Sequence, residues 1–344
     1  MNISVVVVCY NEKENIEQCI FSLTRQKYPQ KEFEILFVDN GSTDGTQETI
    51  RNYARRFPQI RMIVNPIRGI AGSRNVGLRE SRFDHIAFID ADCIAPVDWL
   101  PNLVHGFATY AAEDDRLVAV GGANIPPKHS SLFYDVLELF LNTYLGSHGS
   151  VQGMKFPQDR PVAHLPTVNA LFYKPALLGI GGFDVTLGNI GEDQDLSYRL
   201  QDQGYHFYYL ANAAITHKLR THLRAWIRNM FIYGKGRMWL MRKHPRRIEW
   251  VLLLPFFLVS SLPLVFLSWC HLGFAVPWLY FPVIFLVSIY ESFRAGKLEL
   301  LFHLFRLYIA THVAYGLGEW YGLFKNREFD RMKNAAHLMV TSEL

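Results

Sequence analysis

The stretch Ile3-Ser4-Val5-Val6-Val7-Val8-Cys9-Tyr10-Asn11-Glu12 decides the fold. Over residues 3–8 it is a β-branched run without polar alternation, the pattern of a parallel strand covered on both faces. A helix is expected next, because Asn11 can cap one and Ile16, Cys19, Ile20 and Leu23 recur at helical spacing on one face. The alternation continues outward. Further strands are expected at 34–38, 60–64 and 85–89, with a turn at 40–46, a helix ending near Arg56 and another over 69–81. Repeated β-α units of this spacing predict an α/β fold, a doubly wound and mostly parallel Rossmann-like sheet with right-handed crossovers. Ligands of such sheets bind outside the carboxyl ends of the strands.

Polar residues gather at those ends. The first strand runs into Cys9-Tyr10-Asn11-Glu12, the second into Asp39-Asn40-Gly41-Ser42-Thr43-Asp44, and the fourth into Asp90-Ala91-Asp92. Two carboxylates one residue apart at a strand end can both turn toward a hard divalent cation, Mg²⁺ or Mn²⁺; the same two acids could instead cap a helix over 96–112. Gly69-Ile70-Ala71-Gly72-Ser73-Arg74-Asn75-Val76-Gly77 offers a glycine-rich helix start and an arginine, which together suit a diphosphate. A second acidic cluster follows downstream, Gly181-Gly182-Phe183-Asp184 and then Gly191-Glu192-Asp193-Gln194-Asp195-Leu196, at what reads as the start of a helix. First-turn acids are ordinary there. Three of them in four positions behind a glycine-rich loop nevertheless point to a site, and chemistry at a sugar anomeric carbon needs one such carboxylate as general base.

The rest of the chain is of a different kind. Of 344 residues, 50% are hydrophobic and 19% charged, which excludes a disordered chain. Residues 1–216 hold 18 Lys/Arg against 24 Asp/Glu, residues 217–248 hold 10 against none, and residues 249–344 hold 7 against 7. A basic band therefore joins an acidic front to a neutral rear, which argues against a nucleic-acid binder. From Trp250 to Tyr290, 41 residues pass without one Asp, Glu, Lys or Arg. As helix they would reach roughly 60 Å, about two crossings of a 30 Å hydrocarbon core, so a transmembrane hairpin is expected, turning near His271-Leu272-Gly273 and Pro277. Its flanks carry Arg237, Arg242, Lys243, Arg246 and Arg247 on one side and Arg294 and Lys297 on the other, so both ends are expected in the cytoplasm.

Residues 298–324 are apolar but interrupted by Glu299, His303, Arg306, His312 and Glu319, so an amphipathic interfacial helix competes with a third span. The basic tail (Lys325, Arg327, Arg331, Lys333) favours the interface, while Gly316 and Gly318 would also suit close packing within a membrane. Within 221–244, six cations interleave with Trp226, Ile227, Met230, Phe231, Trp239 and Leu240, the composition of helices lying on an anionic bilayer surface. Residues 3–8 are too short a run for a signal peptide, and Cys9, Cys19, Cys93 and Cys270 form no metal or disulfide pattern, so the front domain is expected in a reducing cytosol. The expected organisation is an α/β domain carrying the polar clusters over 1–216, basic interfacial helices over 217–248, the hairpin and a third apolar helix over 249–324, and a cytoplasmic tail over 325–344.

The strand-one end, Asp39-Asn40-Gly41-Ser42-Thr43-Asp44-Gly45, Ala71-Gly72-Ser73-Arg74-Asn75-Val76-Gly77, Asp90-Ala91-Asp92 and the Gly181-to-Leu196 motif stand in the order that resembles a family-two inverting glycosyltransferase with the GT-A fold. The resemblance covers residues 1–200 and implies roles by position. Tyr10 and Asp39 would hold the nucleotide base, with Glu12 and Asn169 among the nucleotide-sugar contacts. Arg74 would lie near the pyrophosphate, Asp90 would face the ribose or sugar, and Asp92 would ligate the metal. Asp193 would be the catalytic base, with Glu192 positioning donor or acceptor. Asp195 is an alternative base, and His217 is a further metal or phosphate ligand or else a plain strand-end histidine. UDP-sugars are the commoner donors in such a family and GDP-sugars are possible.

Processive synthases of that fold carry Gln-x-x-Arg-Trp at the membrane, whereas this chain has Gly234-Lys235-Gly236-Arg237-Met238-Trp239. Non-processive transfer of one hexosyl unit to a polyprenyl-linked or other glycan acceptor is therefore expected, at the cytoplasmic face of the inner membrane, as in transferases that build exopolysaccharide repeat units. A polyprenyl-phosphate sugar synthase is the alternative within the fold. A non-catalytic nucleotide-sugar-binding scaffold is the alternative outside it.

Overall fold

The computed structural model describes residues 1–65, 69–128, 130–151, 153–187 and 190–325. In chain order the elements are β1 (Ile3–Cys9), α1 (Ile16–Thr24), β2 (Phe33–Asp39), α2 (Thr46–Ala54), β3 (Ile60–Val64), α3 (Ile70–Glu80), β4 (His85–Asp90), β5 (Cys93–Ile94), α4 (Trp99–Ala111), β6 (Leu117–Gly121), β7 (Asn124–Ile125), α5 (Leu132–Leu141) and α6 (Tyr144–Ser147). There follow β8 (Arg160–Val162), β9 (Asn169–Tyr173), α7 (Lys174–Gly179), α8 (Glu192–Asp202), β10 (His206–Tyr209), β11 (Ile215–His217), α9 (Leu223–Lys243), α10 (Leu254–Ser261), α11 (Tyr280–Arg294) and α12 (Leu301–Phe324). The chain divides into two compact units, residues 1–127 with 150–219 and residues 128–149 with 220–344.

The first unit is built on an eight-stranded sheet in the order β3-β2-β1-β4-β9-β6-β10-β8. The strands β3, β2, β1 and β4 are parallel. Strand β9 runs against both β4 and β6, and β8 runs against β10, so the sheet is mostly parallel with two reversed strands. The unbroken apolar run of β1 has the meaning read from it. Ile3, Val5 and Val7 pack with Ile16, Cys19, Ile20 and Leu23 of α1 and with Trp99, Leu100 and Leu103 of α4, while Val6 faces Ala71 and Leu78 of α3 and Leu196 and Leu200 of α8. Strand β1 thus buries both faces, as a central strand of a doubly wound sheet must. A second sheet of three short strands, β5-β11-β7, stands beside it.

Two local expectations are corrected here. Asn11 does not cap α1; its backbone is left-handed (φ 54°), its side chain reaches across to the β2 loop, and the helix starts at Ile16. Asp90 and Asp92 do not cap α4 either, since that helix begins only at Trp99.

The second unit is helical, and it takes residues 128–149 out of what reads in sequence as one catalytic stretch of 1–216. The reason lies in α5, whose Phe140 packs against Tyr308 (ring centroids 5.0 Å) and Trp226 (6.1 Å) and which is followed by Thr143, whose hydroxyl is 2.7 Å from that of Tyr308. Nor is the basic band a separate layer. Its residues form α9, which runs alongside α12 in the same direction: Trp226 donates to Thr311 Oγ1 at 2.8 Å, and sixteen residues on Arg242 donates to the carbonyls of Gly322 and Leu323. A Cβ on Gly318 would sit 2.0 Å from the Phe231 carbonyl oxygen, so the two backbones approach too closely for any larger residue there.

Residues Trp250–Leu267, Gly273–Arg294 and Leu298–Phe324 are each long and apolar enough to cross a membrane. Trp250, Phe257, Phe266, Val276, Leu279 and Leu286 are exposed along the first two, an apolar surface that marks the protein as membrane-associated. The hairpin turns at residues 268–271, with His271 Nδ1 accepting the Gly273 N–H at 3.0 Å; Pro277 lies inside the second segment rather than at the turn. The tail from residue 326 onward, with Arg327, Arg331 and Lys333, lies outside the described residues.

Candidate active site

Parallel register brings the predicted clusters together. Cys9 is level with Asp39 and Val8 with Asp90, so the loops leaving β1, β2 and β4 share one rim of the first unit. Asn11 laces two of them: its N–H donates to Ser42 Oγ at 2.8 Å and its Oδ1 accepts from the Thr43 N–H at 2.9 Å. Asp39 is fully buried beneath this lacing. Its Oδ2 accepts from the N–H groups of Gly41 (3.0 Å) and Ser42 (2.9 Å) and from Gln47 Nε2 (2.7 Å), so one carboxylate oxygen shapes the loop. Tyr10, at the end of β1, is 47% exposed. Glu12 accepts from Asn15 Nδ2 at 2.7 Å, and Asn15 Oδ1 accepts from Lys218 Nζ at 3.0 Å, which ties the first loop to the end of β11.

The arginine expected at the pyrophosphate bridges two acids. Arg74, buried on α3, donates from Nη1 to Glu192 Oε1 at 2.6 Å and from Nη2 to Asp90 Oδ1 at 3.3 Å, with the Phe183 ring 5.7 Å from its Cζ. It joins the two acidic clusters that lie about a hundred residues apart in sequence. Burial pushes the Glu192 carboxyl up to about 7, with Arg74 opposing and Asp193 adding to the rise. Burial likewise raises Asp90, against the pull of Arg74 and with the help of Asp92. The loop before Glu192 is pinned to α3 by Asn75, which donates to the Phe183 carbonyl and accepts from its N–H, both at 2.8 Å. Gly182 makes this possible, since its φ is 71° and a Cβ would fall 2.5 Å from Asn75 Oδ1.

Helix α8 begins at Glu192, behind Gly191 in a left-handed conformation (φ 76°), so all three acids do occupy its first turn. They are not equivalent. Asp195 is fully buried and accepts from Arg199 Nε at 2.8 Å, while Arg199 also donates to the carbonyls of Ile180 and Gly182. Asp193 is 26% exposed; its Oδ1 accepts the Gln194 N–H at 2.8 Å and its Oδ2 lies 3.8 Å from His164 Nε2. Of the two, Asp193 is the one open to solvent. His164 escaped the sequence reading, because a single histidine between β8 and β9 carries no motif.

The small sheet builds the third part of the site. In β11, His217 pairs with Cys93 of β5, which sets its Nε2 3.3 Å from Asp92 Oδ1. The Lys218 N–H donates to the Asp92 carbonyl at 3.0 Å. Asp92, Cys93 and His217 offer ligand atoms within 4.8 Å of one another. Burial alone would raise the Asp92 carboxyl, but the facing His217 outweighs it and holds the group below the usual range. Burial, with Asp92 and Asp90 close by, pushes the Cys93 thiol well up. Of the three, the carboxylate and the imidazole are the donors better suited to a hard divalent cation.

Asn169 belongs to the scaffold instead. It is fully buried, its Oδ1 accepts from Trp99 Nε1 at 2.7 Å, and its Nδ2 donates to the carbonyls of Ala123 (3.2 Å) and Ala213 (2.9 Å). The expectation of a nucleotide-sugar contact there gives way to a bolt joining β9 to α4 and to the loops at Ala123 and Ala213.

Known proteins match this arrangement. The family model described as glycosyl transferase family 2 matches residues 4–177. The glycosyltransferase AglE of Haloferax volcanii is 28% identical over 264 residues, which cover 76% of this chain and 81% of that one. The succinoglycan biosynthesis protein ExoA of Rhizobium meliloti is 29% identical over 244 residues, 70% of each. Among solved structures, the mannosyltransferase PcManGT from Pyrobaculum calidifontis, in complex with GDP-Man and Mn²⁺, shares the fold with a TM-score of 0.61 at 19% identity, over 94% of this chain and 87% of that one.

Proposed function

Since the chain belongs to glycosyl transferase family 2 and is a glycosyltransferase, we propose that it transfers one sugar, with inversion, from a nucleotide-diphosphate sugar to a hydroxyl of a lipid-linked glycan. The observation that carries this reading is Asp193, partly exposed on the first turn of α8, beside a clamp in which Arg74 joins Glu192 to Asp90.

The step is a single displacement. Asp193 takes the proton as the acceptor O–H bond breaks, the acceptor oxygen bonds to the anomeric carbon, and the bond from that carbon to the diphosphate oxygen breaks with its electron pair leaving on the nucleoside diphosphate. Tyr10 stacks on the base above Asp39. Arg74 fixes Glu192 and Asp90 so that donor hydroxyls meet two placed carboxylates. Asp92 and His217 would hold Mn²⁺ or Mg²⁺, which when bound neutralises charge on the departing diphosphate; the imidazole in the donor set favours Mn²⁺.

The membrane supports the choice of acceptor. Three apolar segments and the cations of α9 keep the protein at a bilayer, where a polyprenyl-linked glycan resides. Lys and Arg at both ends of the hairpin favour the cytoplasmic face of the inner membrane. The organisation read from the sequence is kept as part of this proposal, with catalysis before residue 217 and membrane attachment after it. UDP-sugars stand first as donors and GDP-sugars second.

The test is direct. Detergent-purified protein is incubated with UDP- and GDP-sugars, with and without Mn²⁺, and membrane lipid extract. One added hexose on a lipid-linked product, of anomeric configuration opposite to the donor and dependent on metal, supports the reading. A polymer, a retained configuration or a product on the lipid phosphate itself overturns it.

A further inference from the structure

Asp193 does not stand alone on the first turn of α8. His164 enters from the segment between β8 and β9 with Nε2 3.8 Å from Asp193 Oδ2 and Nδ1 2.9 Å from Ser197 Oγ. Asp193 and Ser197 are four residues apart and so lie one above the other on one helix face, and the imidazole spans that turn. Serine, histidine and aspartate in a row suggest a hydrolase, but the burial runs the wrong way. Ser197 is 1% exposed and cannot meet a substrate, while the aspartate is the member that opens outward. The chain of orientation therefore starts at the buried hydroxyl, passes through the ring and ends at the carboxylate.

A base needs its lone pair held in one direction. The terminal torsion of an aspartate is broad, so a carboxylate fixed at one oxygen still turns. Asp193 Oδ1 is held by the Gln194 N–H, and Oδ2 is the oxygen that His164 addresses. Their 3.8 Å separation is within ion-pair range. We infer that His164 is a positioning residue of the transfer reaction, holding Asp193 Oδ2 toward the acceptor while Ser197 holds His164. This rests on Asp193 being the base.

The experiment is a double-mutant cycle in the full-length protein, reading nucleoside diphosphate release from UDP-glucose or GDP-mannose with Mn²⁺ and water as acceptor. His164→Ala is expected to lower kcat about 10-fold, on the scale of a misplaced catalytic group, with donor KM unchanged within about twofold. His164→Gln, which keeps an N–H donor, should restore most of that loss, and His164→Ala should cost nothing further in an Asp193→Asn background. Should His164→Ala not fold, Ser197→Ala, which removes one oxygen, takes its place in the cycle. Additive losses, or a glutamine variant no better than alanine, would overturn the inference while leaving Asp193 as base. Full turnover in Asp193→Asn alone would instead remove the base assignment beneath it.

Discussion

Asp195 Oδ2 accepts from Arg199 Nε at 2.8 Å across one turn of α8, at zero exposure of the carboxylate. Two residues earlier, Asp193 faces outward. The two acids should therefore fail differently. Asp193→Asn should lower kcat by roughly 10²-fold or more with the melting temperature unchanged, the usual scale for losing a general base. Asp195→Asn should instead destabilise the protein by about 3 kcal/mol through the stranded arginine. Turnover and thermal melts of the two variants check this, and a stable, inactive Asp195→Asn would reverse the assignment.

Among the described residues, Arg74 holds Glu192 and Asp90 together. Arg74→Lys keeps the charge and loses the fork, so it cannot serve both carboxylates. A loss of kcat/KM of roughly 10²-fold is expected, with donor affinity and turnover both affected, because misplaced contacts of this kind cost about that much. Steady-state kinetics with varied donor would show it. Unchanged constants would mean the clamp is not part of the machinery.

Asp92→Asn and His217→Ala should each weaken Mn²⁺ binding at least about 10-fold, as expected when one of few ligands is removed. Titration of Mn²⁺ followed by electron paramagnetic resonance, without donor, reads this independently of turnover. Equal Mn²⁺ affinity in either variant removes that residue as a ligand.

Glu192 gives a pH dependence of definite sign. Its carboxyl is raised in the fold to about 7 from an ordinary 4.5, so the folded state prefers the protonated form more than the unfolded chain does. That contribution to stability is complete below the unfolded value and is lost as pH rises through about 7. Melting temperatures of the parent should therefore fall, relative to Glu192→Gln, between pH 5 and pH 8. Parallel curves would mean that Glu192 stays ionised throughout.

The length of α12 allows a crossing, but α9 runs beside it with Arg224, Arg228, Lys235, Arg237, Arg242 and Lys243. Drawing such a helix into hydrocarbon costs roughly 2.5–3.5 kcal/mol per charge near the centre. An in-plane α12 is expected. With Cys270, the exposed native cysteine, replaced by serine, Lys297→Cys and Lys325→Cys should react with an impermeant maleimide from the same side of sealed vesicles. Labelling from opposite sides would establish a third span.

Much of this site is legible because its strands are parallel. A run such as Val5–Val8 with no polar alternation requires cover on both faces, and parallel strands bring their carboxyl ends, with Asp39 and Asp90, to one rim. The ion pair that occupies Asp195 was legible in principle too, since Arg199 stands four residues beyond it. Other features depend on distance along the chain. Asn11 reads as a helix cap until Thr43 is seen to take its side chain. Arg74 reads as a phosphate ligand until Glu192, 118 residues later, is seen to occupy it. His164 and Asn169 sit in segments without periodicity, so nothing local separates a residue beside the base from a bolt in the core.

The detour of residues 128–149 into the helical unit sets a timetable for biosynthesis. Thr143 meets Tyr308 across 165 residues, so at about 5–20 residues per second α5 leaves the ribosome roughly 8–33 s before Tyr308 exists. The sheet can be completed in that interval while α5 still shows an apolar face to solvent. A soluble catalytic fragment is therefore not obtained by stopping at residue 219; it also requires replacing Lys128–Gly149 with a polar linker, or the orphaned helix becomes a site of aggregation.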